Sequence, residues 1–339
     1  MKFFFLDKGN KKFGSNRIYI DNLSSWVQEL GYDVKISNSI EANYDFYILS
    51  KNSTINDIHS VKKISPNSKC GLVHPTDIGH MGKQIIKNID FLIVGSIEEK
   101  DYYLNYHKNI FRFPQIEKII SKRKIHTNKS IINIGYHGNL EHLEEMEGAC
   151  KNALERISKE HNICLKVIYD KSLGQWSNGR PNIPIEDLNW NSIENVEKIL
   201  EDIDIGISPG TNNFFLDKKN LKNNFISNVV RTFTGGKNKR TNDYIIRFKA
   251  TSNAGRCFVF HQLGIPVIGD FWPSNFEILA NPNYGMLAHS EEGWYDCLKK
   301  LVVSKSHRQT LSDNALSLFQ ERYRPLDWTN RLVNEIVSL

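Results

Sequence analysis

Several features are missing from this sequence of 339 residues, and each absence narrows the class of protein. No run of eighteen apolar residues occurs, which excludes a transmembrane helix. The apolar run near the start, Phe3 to Leu6, is too short for a signal peptide, and we predict that it forms a buried strand. The five cysteines form neither a CxxC pair nor a zinc-site spacing with histidine, which indicates a reducing, cytoplasmic location. They are Cys70, Cys150, Cys164, Cys257 and Cys297.

The excess of positive charge is also small. The chain has 44 Lys+Arg and 38 Asp+Glu, a formal net charge of +6. This excess does not indicate nucleic acid as a partner, and it fits an acidic ligand or an anionic membrane surface. The charge is concentrated, because residues 211–250 hold nine basic and two acidic side chains, a local net charge of 9 − 2 = +7. Residues 211–247 have no clear hydrophobic period, so they are either a functional loop beside a site or a solvated charged loop.

What the sequence does contain is a repeated alternation of short apolar runs and amphipathic stretches. Strands are predicted at 2–6, 33–36, 45–49, 70–73 and 90–94, and again at 131–134, 164–169, 203–207 and 266–268. Helices are predicted at 16–30, 141–159, 191–201, 252–263, 293–302 and 308–323. This alternation indicates βαβ units with parallel sheets, whose ligands bind at the carboxyl ends of the strands. We therefore predict an α/β protein with two Rossmann-like domains that face a central cleft.

The strongest functional signal lies between residues 245 and 279. Lys249, Ser252 and Asn253 directly precede a predicted helix, and Arg256 falls in its first turn. The N-terminus of a helix presents free backbone N–H groups and a partial positive charge, which suit a phosphate group. A buried strand then ends at Asp270, and Glu277 lies in the first turn of the next helix, where a carboxylate can accept both hydroxyls of a ribose. The simpler alternative is that Ser252 and Asn253 only cap the helix.

Several pieces of the second half resemble the donor-binding domain of GT-B glycosyltransferases. Many of these enzymes carry a strand that ends in DIGxxP, then a loop, then a K-x-(S/T)-N-R pattern, then GxPVI, then an acid about nine residues further on. The matching stretches here are 204–209 (DIGISP), Lys249 to Arg256, 264–268 (GIPVI) and Glu277, with a glycine loop at 134–139 (IGYHGN). The resemblance covers residues 131–330. It implies a first domain at 1–125, a second at 126–322, and a segment 323–339 whose helix crosses back onto the first domain.

The resemblance also implies roles for individual residues. The donor phosphate or diphosphate would be held by Lys249, Ser252, Asn253 and Arg256 together with Gly138 of the glycine loop, and the ribose by Glu277. The loop of Trp272, Ser274 and Asn275 would border the donor sugar. Two departures leave the nucleotide base and the stereochemistry open: Val259 stands where retaining families have a glutamate, and two residues separate Asn253 from Arg256.

Candidate proton-transferring residues follow a predicted strand of the first domain. His74, Asp77 and His80 lie within seven residues, just after the strand at 70–73, and that end of the strand faces the cleft. An inverting transfer needs a general base beside the acceptor hydroxyl, and we predict His74 or Asp77 for this role, with His80 third. The alternative is a surface loop with polar side chains. In the second domain, His137 either donates to a donor phosphate or is an exposed loop histidine.

Together these features predict a glycosyltransferase that uses a nucleotide sugar and acts on a glycan or lipid-linked acceptor in bacterial surface polysaccharide (capsule or lipopolysaccharide) synthesis. We expect no cofactor and no metal, because no DxD carboxylate pair ends a strand. Contact with an anionic membrane is expected at the inner face, and nucleic acid is not an expected partner. Two alternatives stay open: a nucleotide-sugar epimerase of the same fold, for which Asp77 and Asp270 are the obvious carboxylates, and a non-catalytic nucleotide- or glycan-binding module.

Overall fold

The computed structural model describes residues 1–9, 14–75, 80–210 and 253–339. The described chain forms two six-stranded sheets, and every pair of neighbouring strands in both sheets is parallel. This is the predicted α/β architecture. None of the described helices has both the length and the apolar character needed to cross a bilayer.

The first sheet contains β1 (Lys2–Leu6), β2 (Asp33–Ser37), β3 (Phe46–Leu49), β4 (Lys69–Val73), β5 (Phe91–Val94) and β6 (Ile110–Arg112). Its strand order is β2-β1-β3-β4-β5-β6. The helices between these strands are α1 (Gly14–Asn16), which continues through a π-helical turn (Arg17–Asn22) into α2 (Leu23–Glu29), then α3 (Ile55–Ile64), α4 (His80–Asn88) and α5 (Ile97–Tyr103).

The second sheet contains β7 (Ile132–His137), β8 (Ile163–Tyr169), β9 (Ile185–Asn189), β10 (Ile205–Ser208), β11 (Val267–Gly269) and β12 (Met286–Leu287). Its strand order is β12-β11-β10-β7-β8-β9. The helices are α6 (Ala149–Ser158), α7 (Ile193–Leu200), α8 (Gly255–Gln262), α9 (Pro273–Leu279), α10 (Glu291–Val303), α11 (Lys305–Arg322) and α12 (Pro325–Val337), with 3-10 turns at Leu140–Met146 and Lys171–Leu173.

The apolar run at the amino terminus is continuous because β1 is covered on both faces. Phe3 and Phe5 pack into a core with α2, while Phe4 and Leu6 pack into a second core with α3, α4 and α5. Both faces of a central parallel strand are buried, so alternation between apolar and polar residues disappears. The apolar run at the amino terminus is therefore an interior strand of the first sheet.

The last helix packs against elements of the first half of the chain. Leu332, Val333 and Ile336 of α12 lie in the same core as Trp26 and Val27 of α2, and α12 also contacts β6. The segment between the sheets is held against the end of α8, where Gln262 Nε2 donates to the carbonyls of Glu117 (3.1 Å) and Ile119 (3.2 Å). The boundaries at residues 125 and 322 stay a prediction.

One predicted element is wrong. Residues 141–159 were expected to form one helix, but the 3-10 turn ends at Met146 and α6 begins only at Ala149. Gly148 lies between them with φ +87°, a backbone conformation that an α-helix cannot accommodate. The break turns Glu145 and His142 toward the region between the two sheets.

Candidate active site

A cleft of about 490 Å³ lies between the two sheets, at the carboxyl ends of their strands. This is where ligands bind in open parallel sheets. The first half contributes residues that follow β3 and β4, together with the first helix and the connecting segment. The second half contributes residues that follow β7, β8 and β10, together with the start of α8. Charged and polar side chains line much of it: Arg17, Lys51, His74, Gln115, Glu117, His137, Glu141, His142, Glu145, Asp170, Asn253, Arg256 and Asn275.

His74 lines this cleft as predicted, and its position is closely fixed. It follows β4 with φ +42°, an unusual backbone conformation for a residue other than glycine, and its N–H donates to the Ile93 carbonyl at 2.7 Å. The imidazole stacks on Tyr19, with ring centroids 5.7 Å apart and planes 18° apart. Its Nδ1 lies 2.9 Å from Glu99 Oε1. Uncommon backbone conformations of this kind cluster at functional sites.

Glu99 is fully buried behind His74. Its Oε2 accepts the Gly95 N–H at 2.7 Å, and its own N–H donates to Ser96 Oγ at the start of α5. The geometry gives a histidine–glutamate pair at the edge of the cleft. In the sequence, Glu99 is marked only by its spacing from Ser96, which is that of a capping box. This spacing predicts the start of a helix and does not predict the contact with His74.

Arg17 connects the two halves of the cleft. Its Nε donates to Glu117 Oε2 at 3.0 Å, its Nη2 donates to Glu117 Oε1, and its guanidinium lies 5.0 Å from the ring centroid of Trp190 in the second half. The π-helical turn that begins at Arg17 also carries Tyr19 onto His74. Few proteins contain π-helical turns, and many of the turns that do occur lie at functional sites. Sequence analysis missed Arg17, because Glu117 is a hundred residues away in the chain.

Arg256 lies in the first turn of α8, as predicted, and lines the second half of the cleft. Its Nε donates to the His137 carbonyl at 3.1 Å, and its guanidinium lies 4.7 Å from the ring centroid of Tyr136. Glu145 Oε2 is 3.7 Å from Arg256 Nη1, and Glu145 Oε1 is 2.9 Å from His142 Nδ1. The structure therefore holds a cation in place at the N-terminal end of α8.

His137 also lines the cleft, at the end of β7, and its ring packs edge-on against Phe260. Burial, with a further contribution from the Arg256 charge, lowers the pKa of His137 to about 3. Its Nε2 has no hydrogen-bond partner among the described residues. A neutral imidazole of this kind can form a hydrogen bond with a ligand, but it is too weak a base to accept a proton near neutral pH.

Two other predicted phosphate contacts lie at the cleft with their polar groups already engaged. Gly138 has φ +154°, and its N–H donates to the Ile168 carbonyl at 3.1 Å, so that N–H is not directed at a ligand. A Cβ at this position would meet Tyr136 Oη and Arg256 Nε, so glycine permits the close packing of the loop on Arg256. Asn253 Oδ1 accepts the Gly255 N–H at 3.0 Å, in a turn just before α8, and the N-cap residue of α8 is Ala254.

The residues around α9 divide between the cleft and the contact of the two halves. Trp272 and Asn275 line the cleft, although Asn275 Nδ2 donates to the Asp270 carbonyl at 3.0 Å. Ser274 is buried outside the lining, and its N–H donates to Glu98 Oε1 of α5 at 3.3 Å. Glu277 also lies outside the lining, because its Oε2 accepts Arg112 Nη2 of β6 at 2.6 Å. The structure does not bring the predicted ribose ligand into the cleft.

Several of the remaining predicted residues lie outside the described part of the chain. They are Asp77, Ser252, the side chain of His80, and all nine basic residues of 211–250, which include Lys249. Asp270 does not line the cleft, and its Oδ1 lies 2.8 Å from His289 Nδ1. Within the described parts of the chain, no group of three or more His, Cys, Asp or Glu side chains could hold a metal ion. Metal independence stays a prediction.

Known structures share this architecture, although sequence comparison does not find a relative. No protein-family model matches the chain, and no curated protein matches it. HepE from Anabaena, solved in complex with UDP and glucose, superposes with a TM-score of 0.64 over 100% of both chains at 10% identity. A glycosyltransferase from Rickettsia africae superposes with a TM-score of 0.63 at 11% identity, over 99% of this chain and 97% of that one.

A third match is partial. TarM superposes with a TM-score of 0.54 at 14% identity, and the alignment covers 86% of this chain but 54% of TarM. At these identities the comparisons establish the fold and not the reaction. The chain has the GT-B glycosyltransferase fold that its sequence motifs implied.

Proposed function

We propose that the chain is a glycosyltransferase that moves a sugar from a nucleotide-activated donor to a glycan or lipid-linked acceptor, without a metal ion, in the synthesis of a bacterial surface polysaccharide. The observation that carries the proposal is the cleft itself, which has a fixed cation, Arg256, on one side and the His74–Glu99 pair on the other. HepE, which has the same fold, was solved with UDP and glucose, so a uridine nucleotide is the first donor to test.

The second half of the cleft suits the donor. Arg256 is a permanent cation at the N-terminal end of α8, and helix N-termini favour phosphate groups. Glu145 Oε2 lies 3.7 Å from Arg256 Nη1 and both residues line the cleft, so a donor phosphate would compete with Glu145 for the guanidinium. His137 adds an uncharged hydrogen-bonding group at the same place.

The first half suits the acceptor. His74 Nδ1 lies 2.9 Å from Glu99 Oε1, and the proposed mechanism places the imidazole proton on Nδ1 so that Nε2 can accept one. In the proposed step, His74 Nε2 takes the proton of the acceptor hydroxyl while the oxygen of that hydroxyl bonds to the anomeric carbon of the donor sugar. The bond from that carbon to the donor phosphate breaks, and its electron pair leaves with the nucleotide. This direct displacement inverts the anomeric configuration.

The proposal is tested by thermal shift with UDP, GDP, CMP, dTDP and ADP, followed by transfer assays with the sugar of the nucleotide that binds. A nucleotide at about a hundred times its Kd should stabilise the protein by about 2.7 kcal/mol. Arg256→Ala should remove that shift. Arg156→Ala is the matched control, since Arg156 is a partly buried arginine of the second half that pairs with Glu292 and does not line the cleft.

Two results would contradict the proposal. If no nucleotide stabilises the chain, or if Arg256→Ala and Arg156→Ala behave alike, the cleft does not bind a donor phosphate as described. Full turnover is expected in excess chelator, and complete loss of turnover would refute metal independence. The anomeric configuration of the product, read by NMR, tests the direct displacement separately.

A further inference from the structure

The outer surface of the first half carries an uneven distribution of charge. Helices α3, α4 and α5 cover one face of the first sheet, and their described outward side chains include five exposed lysines and one exposed acid, Asp101. The lysines, defined here as the lysine face, are Lys62, Lys63, Lys83, Lys87 and Lys100. The acids of α3 and α5 that could balance them, Asp57, Glu98 and Glu99, are buried.

The lysines of this face have no acidic partners among the described residues, whereas other lysines of the chain do. Lys122, for example, pairs with Glu201 at 2.5 Å, and Lys166 pairs with Asp202 at 2.9 Å. Most lysines of the lysine face lie in the last turns of their helices, where they also complement the helix dipole. That local role does not require the neighbouring surface to be free of acids, so it does not explain the net charge of the whole face.

Exposed apolar side chains lie among these lysines. Leu104 is 54% exposed at the end of α5, Ile64 is 40% exposed at the end of α3, and Ile97 is 39% exposed at the start of α5. Lys83 Nζ lies 5.5 Å from the ring centroid of Tyr106, which connects α4 to the segment after α5. Cations with aliphatic and aromatic side chains between them suit the headgroup region of an anionic bilayer. A protein surface that binds nucleic acid does not require exposed leucine and isoleucine.

We propose that the lysine face is a docking surface for a membrane that contains anionic lipids. The lysines bind the lipid phosphates electrostatically, and Leu104, Ile64 and Ile97 enter the headgroup region. This inference does not depend on the proposed glycosyl transfer.

The test is co-sedimentation of the full chain with vesicles of phosphatidylcholine that contain about 30% phosphatidylglycerol, against vesicles of pure phosphatidylcholine. The triple variant Lys62→Gln/Lys83→Gln/Lys87→Gln should weaken binding to the anionic vesicles by roughly a hundredfold, about fivefold per lysine. The control is the triple variant Lys159→Gln/Lys198→Gln/Lys305→Gln, which removes the same charge from exposed positions of the second half. Binding should also fall steeply when the salt concentration is raised to about 0.5 M.

Three outcomes would overturn the proposal: equal binding to neutral and anionic vesicles, equal losses in the two triple variants, or salt-dependent binding to duplex DNA or RNA without binding to vesicles. The nucleotide-induced thermal shift, measured on the same variants, separates this test from that of the proposed function. The lysine face lies outside the residues that line the cleft, so the shift should be unchanged even if vesicle binding is lost.

Discussion

The pairing of Glu99 with His74 leads to a sharp prediction for Glu99→Gln. Gly95 N–H donates to one oxygen of Glu99 at 2.7 Å, and it requires an acceptor there. A glutamine must therefore place its carbonyl oxygen toward Gly95 and its NH₂ group toward His74 Nδ1. The amide would then donate to Nδ1, so the imidazole proton would move to Nε2. His74 could no longer accept a proton from the acceptor hydroxyl.

The size of the effect follows from what a general base contributes, which is typically 10²- to 10⁴-fold in rate. We expect kcat of Glu99→Gln to fall by about that factor, with the donor KM and the nucleotide-induced thermal shift unchanged. The assay is initial-rate transfer at saturating donor and acceptor. The glutamine keeps the size of the side chain and its hydrogen bond to Gly95, so the fold should be preserved.

The neighbouring residue supplies the control. Glu98 lies in the same turn of α5 and is also buried, but its Oε1 accepts the Ser274 N–H and not a group of His74. Glu98→Gln should leave kcat within about threefold of the unchanged chain. If Glu99→Gln also stays within that range while the protein turns over, His74 is not the base held by Glu99 and the reasoning above is wrong.

Three other predictions concern binding and stability. Glu277→Gln should lose the ion pair with Arg112 and melt a few degrees lower, yet keep its nucleotide-induced thermal shift; loss of the shift would restore the ribose role. Gly210→Ala should cost about 1–3 kcal/mol, measured by urea unfolding, because its Cβ would overlap the Trp272 indole; an unchanged midpoint would contradict this. Burial lowers the pKa of His126 to about 4, of His137 to about 3 and of His261 to about 4. The unfolded chain therefore binds more protons below about pH 6.5, and the free energy of unfolding should fall by up to about 4 kcal/mol per pH unit between pH 6 and 4. His261→Leu should remove about a third of that slope in urea titrations, and an unchanged slope would refute the assignment.

The fold could be predicted because its information is local. Buried parallel strands such as β1 and β5 are continuous apolar runs. Along the sequence, such runs alternate with amphipathic helices. The strands that sequence analysis missed are β6, β9 and β12. The first has three residues, the last has two, and β9 (IEDLN) is a partly exposed edge strand with two acids, so none has an apolar run to detect.

The site could be predicted only in part because its partners are distant in sequence. The strand end at Val73 predicted that His74 faces the cleft, and the cap before α8 predicted the place of Arg256. Glu99 and Glu117 were missed, since each becomes informative only when a distant chain segment is folded against it. Glu277 shows the opposite failure. A helix was expected there, but α9 begins at Pro273, so Glu277 does not lie in its first turn as predicted. Helix periodicity alone also could not show that its side chain pairs with Arg112.

The position of α12 bears on the order in which the chain can fold. Its Leu332, Val333 and Ile336 complete the core around Trp26 and Val27, although more than three hundred residues separate α12 from α2 in the sequence. During synthesis the first sheet therefore emerges early but stays without part of its apolar cover until α12 has left the ribosome. A fragment that ends near residue 125 would expose that surface, so aggregation of the nascent first half is a hazard that the synthesis of α12 removes.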